Sequence, residues 1–194
     1  MARATSFVRY AAESYFSRHV HTGGEEILVL SGTFSDETGH YPEGWYLRNP
    51  PGSDHQPFSA EGTIIFVKLG QMLPDERAHV RIDTRCPSSW QTMGNREVCS
   101  LFESTTEQVS LQRLSSAERV LYAGEGGVEI LVLAGSAIMQ GQAYPRGTWL
   151  RLPTGADETI YAGPDGLTCY LKSGHLACVV ASSEVLESSL QSLP

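Results

Sequence analysis

The sequence is poor in lysine and contains no long apolar run. Only two of its 194 residues are lysines, and acidic side chains outnumber Lys and Arg, which gives a formal net charge of −8. A chain with so few cations lacks a surface that follows a phosphate backbone, so nucleic acid is not expected as a partner. No stretch approaches the ~20 apolar residues that a membrane span requires, so no membrane helix is expected.

The cysteines and the N-terminus lack the marks of an exported protein. The four cysteines have no Cys-x-x-Cys spacing, and the first six residues contain no apolar run. Reduced thiols without a secretory signal predict a cytoplasmic protein. The cysteines are Cys86, Cys99, Cys169 and Cys178.

What the sequence does contain is turn residues between short β-prone runs. It has 19 glycines and 10 prolines, 41% hydrophobic residues and 19% charged residues. This composition predicts an all-β fold with many turns, and the chain is long enough to bury one large core or two small ones.

Three histidines and one glutamate form the most informative cluster of the sequence. Because side chains alternate along a strand, His19 and His21 point the same way. Residues 22–24 form a turn that returns Glu25 beside them, and His55 would complete the set. Imidazoles with one carboxylate suit Zn, Fe, Mn, Ni or Co, so we expect one divalent transition metal ion per chain. These ligand types do not discriminate among the five metals.

The spacing of these residues matches two motifs of one superfamily. The first, His-x-His followed by Glu and Gly, fits His19, His21, Glu25 and Gly32, and the second fits Gly44, Pro50, Gly52 and His55. The sequence thus resembles the cupin superfamily, although Glu13 and Ser59 stand where its motifs have Gly and Asn. Over residues 5–83 it is similar to the cupin domain of ChrR-type anti-sigma factors, most closely at 24–30, 34–36 and 48–52.

An internal repeat predicts a second barrel of the same kind. With a shift of 103 residues, the run 26–30 falls on 129–133, and 14 of the 31 positions from 25 to 55 are identical. The resemblance therefore implies a bicupin, two cupin (double-stranded β-helix or jelly-roll) barrels. We expect a metal-binding domain at 1–83, a degenerate cupin domain at 84–181, and a short C-terminal helix or tail at 182–194.

The second copy lacks the candidate ligands. The same shift places Tyr122, Gly124, Val128 and Glu158 on His19, His21, Glu25 and His55. Residues kept in both copies are therefore read as structural, among them Glu26 with Glu129 and Arg48 with Arg151, which we expect to pair. Residues present only in the first copy are the functional candidates.

The resemblance leaves two classes of function open. ChrR-type cupins bind zinc and respond to singlet oxygen or peroxides, which implies a stand-alone regulatory or sensing metal module. A sigma factor is not expected as partner, because no N-terminal helical domain of that family precedes the motifs. The same sub-group includes dioxygenases that cleave diketones and acetophenones, so the alternative is an Fe(II)-dependent dioxygenase acting on a small carbonyl compound. A small-molecule ligand is expected in the first barrel, whereas catalytic residues, enzyme activity and a homodimer are left open.

Overall fold

The computed structural model describes residues 3–122 and 124–177. These residues form two compact units, the first ending at Ser89 and the second beginning at Trp90. Both are built from antiparallel strands, so the predicted all-β, two-barrel fold is confirmed. The division into domains at 1–83 and 84–181 stays a prediction. The predicted helix at 182–194 lies outside the described residues.

The first unit consists of short strands around one long one. Its largest sheet has the antiparallel order β1–β9–β4–β6–β10. At the other end of β4, β5 and β8 pair with β4, and β2 pairs with β8. A separate ribbon is formed by β3 and β7. Its elements are β1 Ala4–Tyr10, β2 Ser14–Tyr15, β3 His19–His21, β4 Glu25–Asp36, β5 Gly39–Pro42, β6 Trp45–Asn49, β7 Ser53–His55, β8 Phe58–Ser59, β9 Thr63–Leu69, β10 Val80–Asp83 and the 3-10 helix η1 Pro87–Ser89.

The second unit repeats this arrangement around β14 and β17. Its sheet has the order β11–β12–β13–β17–β14–β15, and β16 also pairs with β14. Strands β11–β13 come from the stretch between the two repeated segments, so this stretch belongs to the second sheet. The elements are β11 Gln91–Met93, β12 Arg96–Glu103, β13 Gln108–Leu114, the 3-10 helix η2 Gly124–Gly126, β14 Val128–Met139, β15 Gln142–Pro145, β16 Trp149–Leu152 and β17 Ile160–Ser173.

Strand β4 bends from one sheet of the first unit into the other. Its beginning pairs with β6 and β9, and its end pairs with β5. The register against β9 shifts between Val29 and Ser31, and Gly32 follows with φ +67°. A register shift of this kind is a β-bulge, which increases local bending. The bend closes the barrel over a core of Tyr10, Ile27, Val29, Phe34, Tyr41, Leu47, Ile65 and Val67.

The approach to the first histidines differs from the predicted strand. The sequence pattern predicts one strand from Tyr15 to His21, but the structure divides this segment between β2 and β3. The two pieces pair with different partners, β8 and β7, and residues 16–18 between them belong to no strand. Just after β2, the Phe16 amide donates to the Pro57 carbonyl at 2.9 Å.

The predicted structural ion pairs are present in both units. Arg48 Nη1 lies 2.9 Å from Glu26 Oε2, and both side chains are buried. In the second unit Arg151 Nε lies 3.6 Å from Glu129 Oε1. Because burial of an unpaired charge is costly, the Arg48 and Glu26 side chains depend on each other. Their retention in both copies supports a structural role.

Two further sequence expectations concern helices and thiols. Among the described residues, no helix is long and apolar enough to cross a membrane. Cys86, Cys99 and Cys169 are free thiols, Cys86 being exposed and the other two buried. Cys178 lies outside the described residues.

We predict that Gly32→Ala strongly destabilises the first unit. A Cβ atom at Gly32 would lie 2.0 Å from the Gly62 carbonyl oxygen, whereas one at Gly52 would meet nothing within 4 Å, although Gly52 also has positive φ. Gly32→Ala should cost about 3 kcal/mol or more, and Gly52→Ala about 1 kcal/mol from backbone strain alone. Thermal melting in the presence of a chelator measures both. Equal effects would mean that the close contact of β4 with the Gly62 turn is unimportant.

Candidate metal centre

The ribbon of β3 and β7 brings the three histidines together. His19 lies directly opposite His55, and His21 lies opposite Ser53. The turn before β7 is held by two backbone hydrogen bonds, Gly52 N to His21 O at 2.9 Å and Ser53 N to Pro50 O at 3.0 Å. The two motifs of the sequence are thus joined by direct strand pairing.

The ligand atoms of the histidines and of Glu25 converge. His21 Nε2 and His55 Nε2 are 2.9 Å apart, and each lies 3.4 Å from Glu25 Oε2. One ring nitrogen of His19 is within 4.8 Å of those of His21 and His55. His21, Glu25 and His55 are buried, whereas His19 is exposed and forms the open side of the cluster.

These distances fit a shared metal ion. Two atoms bound to one ion at ~2.0–2.2 Å lie about 2.8–3.6 Å apart at octahedral to tetrahedral angles. The three contacts among His21, His55 and Glu25 fall in this range. Within the described part of the chain, no other group of three or more His, Cys, Asp or Glu side chains converges in this way.

Hydrogen bonds of the Nδ1 atoms, which face away from the cluster, orient the imidazole rings of His19 and His55. His19 Nδ1 donates to the Ser17 carbonyl at 2.8 Å, and His55 Nδ1 faces Asp36 Oδ2 at 3.4 Å. With the proton on Nδ1, each Nε2 keeps its lone pair for the centre of the cluster. Such partners are the usual support of metal-binding histidines.

Two supporting residues were not predicted from the sequence. Asp36 faces His55, and Asn49 Nδ2 donates to Glu25 Oε2 at 3.0 Å while its own Oδ1 accepts from Arg81 at 2.7 Å. The repeat contained a signal for both. At a shift of 103, Met139 and Leu152 replace Asp36 and Asn49, so both are polar only in the copy that has the histidines.

Burial and neighbouring charges shift the pKa values of the cluster in different directions. Burial, together with the neighbouring His55 and His19, lowers the pKa of His21 to about 4. Burial raises the pKa of Glu25. Burial acts to raise the pKa of Asp36, but hydrogen bonds with His55 and Thr38 outweigh it and lower the pKa to about 2. His21 is therefore neutral, with an available lone pair, at ordinary pH.

An exposed ion cluster links the segments that carry His19 and His55. Arg18 contacts both Glu37 and Asp54, and Glu37 accepts a hydrogen bond from the Gln56 amide at 3.0 Å. Exposed ion pairs contribute little to stability. The guanidinium of Arg18 is, however, already paired with two carboxylates in this cluster.

A cavity of about 380 Å³ opens beside the cluster. His19, His21 and Glu25 lie on its wall, and Tyr10 is placed there as well. Burial and the charge of Glu25 raise the pKa of Tyr10, so its hydroxyl stays protonated. The other lining residues are apolar or glycine, namely Val8, Phe16, Val20, Gly23, Gly24, Ile65, Val67, Leu69 and Gly70.

The second unit has a direct hydrogen bond in place of the cluster. Tyr122, which aligns with His19, donates its hydroxyl to the backbone carbonyl of Glu158, which aligns with His55, at 2.6 Å. This hydrogen bond joins the two segments that correspond to those of His19 and His55 in the first unit.

Comparisons with known proteins agree with this fold. The family model of the ChrR cupin-like domain matches residues 1–73, whereas no curated protein matches the chain. A putative dioxygenase from Nostoc punctiforme is similar in structure, with a TM-score of 0.76, 15% identity and coverage of 90% of this chain and 70% of that one.

Two further solved structures are similar to the chain. A mutant of salicylate 1,2-dioxygenase from Pseudoaminobacter salicylatoxidans has a TM-score of 0.70, 10% identity and coverage of 93% and 73% of the two chains. A bacterial pirin from Escherichia coli, in complex with nickel(II), has a TM-score of 0.65, 15% identity and coverage of 86% and 79%. At such low identity these similarities establish the fold alone. The match of the ChrR cupin-like model confirms the predicted resemblance over residues 1–73.

We predict that Tyr122→Phe destabilises the second unit by about 1 kcal/mol, because it removes one hydrogen bond and leaves the Glu158 carbonyl without that partner. The control is Tyr144→Phe, since Tyr144 packs against the same core and its hydroxyl makes no hydrogen bond to a described residue. Urea unfolding curves of both variants measure the difference. If the two variants are equally stable, the Tyr122 bond does not hold the segments together.

Proposed function

We propose that this cupin protein holds one divalent transition metal ion on His19, His21, Glu25 and His55, and that the centre acts on a small molecule in the adjoining cavity. Of the two classes of function considered, a dioxygenase acting on a small carbonyl compound is the one that the geometry favours. The observation that carries the proposal is the cavity itself, since three of the four proposed ligand residues lie on its wall.

An accessible face is what separates a catalytic centre from a purely structural one. Structural zinc sites are closed by four protein ligands, whereas catalytic sites keep an open position. The four proposed ligands would complete a four-coordinate zinc site, but they would leave positions free on a metal that takes more ligands, such as iron. Here His19 is exposed and the cavity reaches the ligand residues. When bound there, a metal ion supplies Lewis-acid chemistry, and iron adds redox chemistry with dioxygen.

The side chains of this protein supply orientation and exclusion of water. Ser17 and Asp36 direct the lone pairs of His19 and His55 inward, and Asn49 fixes the carboxylate of Glu25. The aliphatic walls favour the apolar part of a ligand and displace water from it. These are the requirements for binding a small organic compound beside a metal ion.

The second candidate is a regulatory or sensing metal module. It is supported by the match of residues 1–73 to the ChrR cupin-like family. In that case the ion serves stability or signalling, and no turnover accompanies it. Oxygen consumption separates the two candidates.

We expect the iron-loaded protein to consume dioxygen when 2,4-pentanedione or 2-hydroxyacetophenone is added, and to lose this activity with His55→Ala. An oxygen electrode follows the reaction, and protein loaded with zinc serves as the inactive control. Tight metal binding without oxygen consumption on either compound would favour the sensing module over the enzyme.

We predict about one metal ion per chain in protein purified without chelator or nickel resin, and less than about 0.1 in His55→Ala after dialysis. Removal of one imidazole leaves an incomplete ligand set, and a metal bound to the native state stabilises it by mass action. Elemental analysis gives the content. His79→Ala is the matched control, because His79 is exposed and lies outside the cluster.

Chelator should then lower the melting temperature of wild type and His79→Ala but leave His55→Ala unchanged. Two ions per chain, or an unchanged content in His55→Ala, would contradict the proposed ligand set.

We predict that Asp36→Asn weakens metal affinity by about tenfold or more, because a neutral amide supports the His55 imidazole less well than a carboxylate does. Asp54→Asn is the control, since Asp54 adjoins His55 in sequence but contacts Arg18. Competition with a chromophoric chelator measures both affinities. If both variants bind equally well, the contact between Asp36 and His55 has no effect on the centre.

A further inference from the structure

The cavity of the first unit contains one hydroxyl group on its wall. Among its lining residues Tyr10 is the one side chain with a hydroxyl, and the other polar side chains there are the proposed ligands His19, His21 and Glu25. A polar group set in an apolar wall is what fixes the orientation of a bound small molecule.

The Tyr10 hydroxyl is accessible and has no hydrogen-bond partner among the described residues. The ring is buried against Phe16 and Phe34, with centroid distances of 4.6 and 5.9 Å. Its hydroxyl makes no hydrogen bond to a described residue, yet it is not among the unpaired polar atoms that are sealed from solvent. Tyr10 lines the cavity, and its hydroxyl lies within electrostatic range of Glu25 on the same wall.

The cavity offers a ligand few polar contacts. Its lining, all within the described residues, includes no lysine or arginine. The exposed Arg18 is already paired with Glu37 and Asp54. The polar contacts open to a ligand there are therefore the Tyr10 hydroxyl and the proposed metal centre.

The second unit supplies an independent comparison. Lys68 and Lys172 are opposite Glu26 and Glu129, which equates β9 with β17. Tyr10 is opposite Thr63 on β9, and Leu114 is opposite Leu167 at the equivalent place on β17. Leu114, which is buried in the core of the second unit, thus stands in the place of Tyr10 in the unit that lacks the histidines.

We propose that Tyr10 recognises a small carbonyl compound by donating a hydrogen bond to its carbonyl oxygen. The apolar part of the ligand lies against Val8, Ile65 and Val67. The inference rests on the proposed function and adds to it the residue that recognises the ligand. Tyr10 is a ligand-binding residue, distinct from the four proposed metal ligands.

The test is a binding titration that does not require turnover. Wild type, Tyr10→Phe and Tyr15→Phe are loaded with Co(II), whose visible absorption reports changes at the centre. Each is titrated with 2,4-pentanedione and, separately, with azide, an anion too small to need the cavity walls. Tyr15→Phe is the matched control, since Tyr15 is 72% exposed and stacks on Phe58 outside the cavity.

We expect Tyr10→Phe to bind 2,4-pentanedione about tenfold more weakly, the loss of one hydrogen bond, with azide affinity unchanged within about twofold. Tyr15→Phe should match wild type for both probes. Unchanged affinity for 2,4-pentanedione in Tyr10→Phe would overturn the inference. An equal loss for both probes would also overturn it, because Tyr10 would then act through the structure of the centre.

Cobalt uptake is measured first on the same samples. Failure of wild type to take up cobalt would refute the proposed function, whereas uptake without an effect of Tyr10→Phe would refute this inference alone.

Discussion

The candidate centre depends on the bend of strand β4. Glu25 is the first residue of this strand and Asp36 the last, yet each carboxylate lies 3.4 Å from a different nitrogen of His55. A straight strand of that length would place its ends about 36 Å apart. The bulge before Gly32, and the close approach of Gly32 to the Gly62 turn, make the curvature that brings both ends to one imidazole.

The bend belongs to the fold and not to the chemistry. In the second unit β14 also has twelve residues, with register shifts in its middle, and Gly135 has the same φ of +67°. A Cβ at Gly135 would lie 2.1 Å from the Gly166 carbonyl oxygen, as at Gly32. That unit has the hydrogen bond from Tyr122 where the first has His19 and His55. The proposed metal centre is therefore an addition to a scaffold whose curvature both units share.

The sequence predicted the parts of the site that lie within local motifs. The spacing of His19, His21 and Glu25 around a turn, and of His55 after a rigid loop, was enough to predict that these side chains meet. The support given by Asp36 and Asn49 was missed, because it depends on how far β4 bends and on which neighbours this brings close. The comparison of the two copies could have identified both residues, since their counterparts are apolar.

Tyr10 was missed for a related reason. It lies outside both motifs, and an aromatic residue in a β-prone segment is more often part of the core than of a site. Its ring does pack in the core, and what distinguishes it is the accessible hydroxyl and the leucine at the equivalent position of the second unit. The accessibility of the hydroxyl is visible only in the structure. The equivalence of Tyr10 and Leu114 requires the strand register, because it rests on pairing with β9 and β17.

Anomalous diffraction at the absorption edge of the metal would test the central claim most directly. Crystals of protein prepared with a single divalent transition metal should show one anomalous peak per chain, surrounded by His19, His21, Glu25 and His55 at ~2.0–2.3 Å. A peak in the second unit near Tyr122 and Glu158, or no peak within the first barrel, would contradict the account.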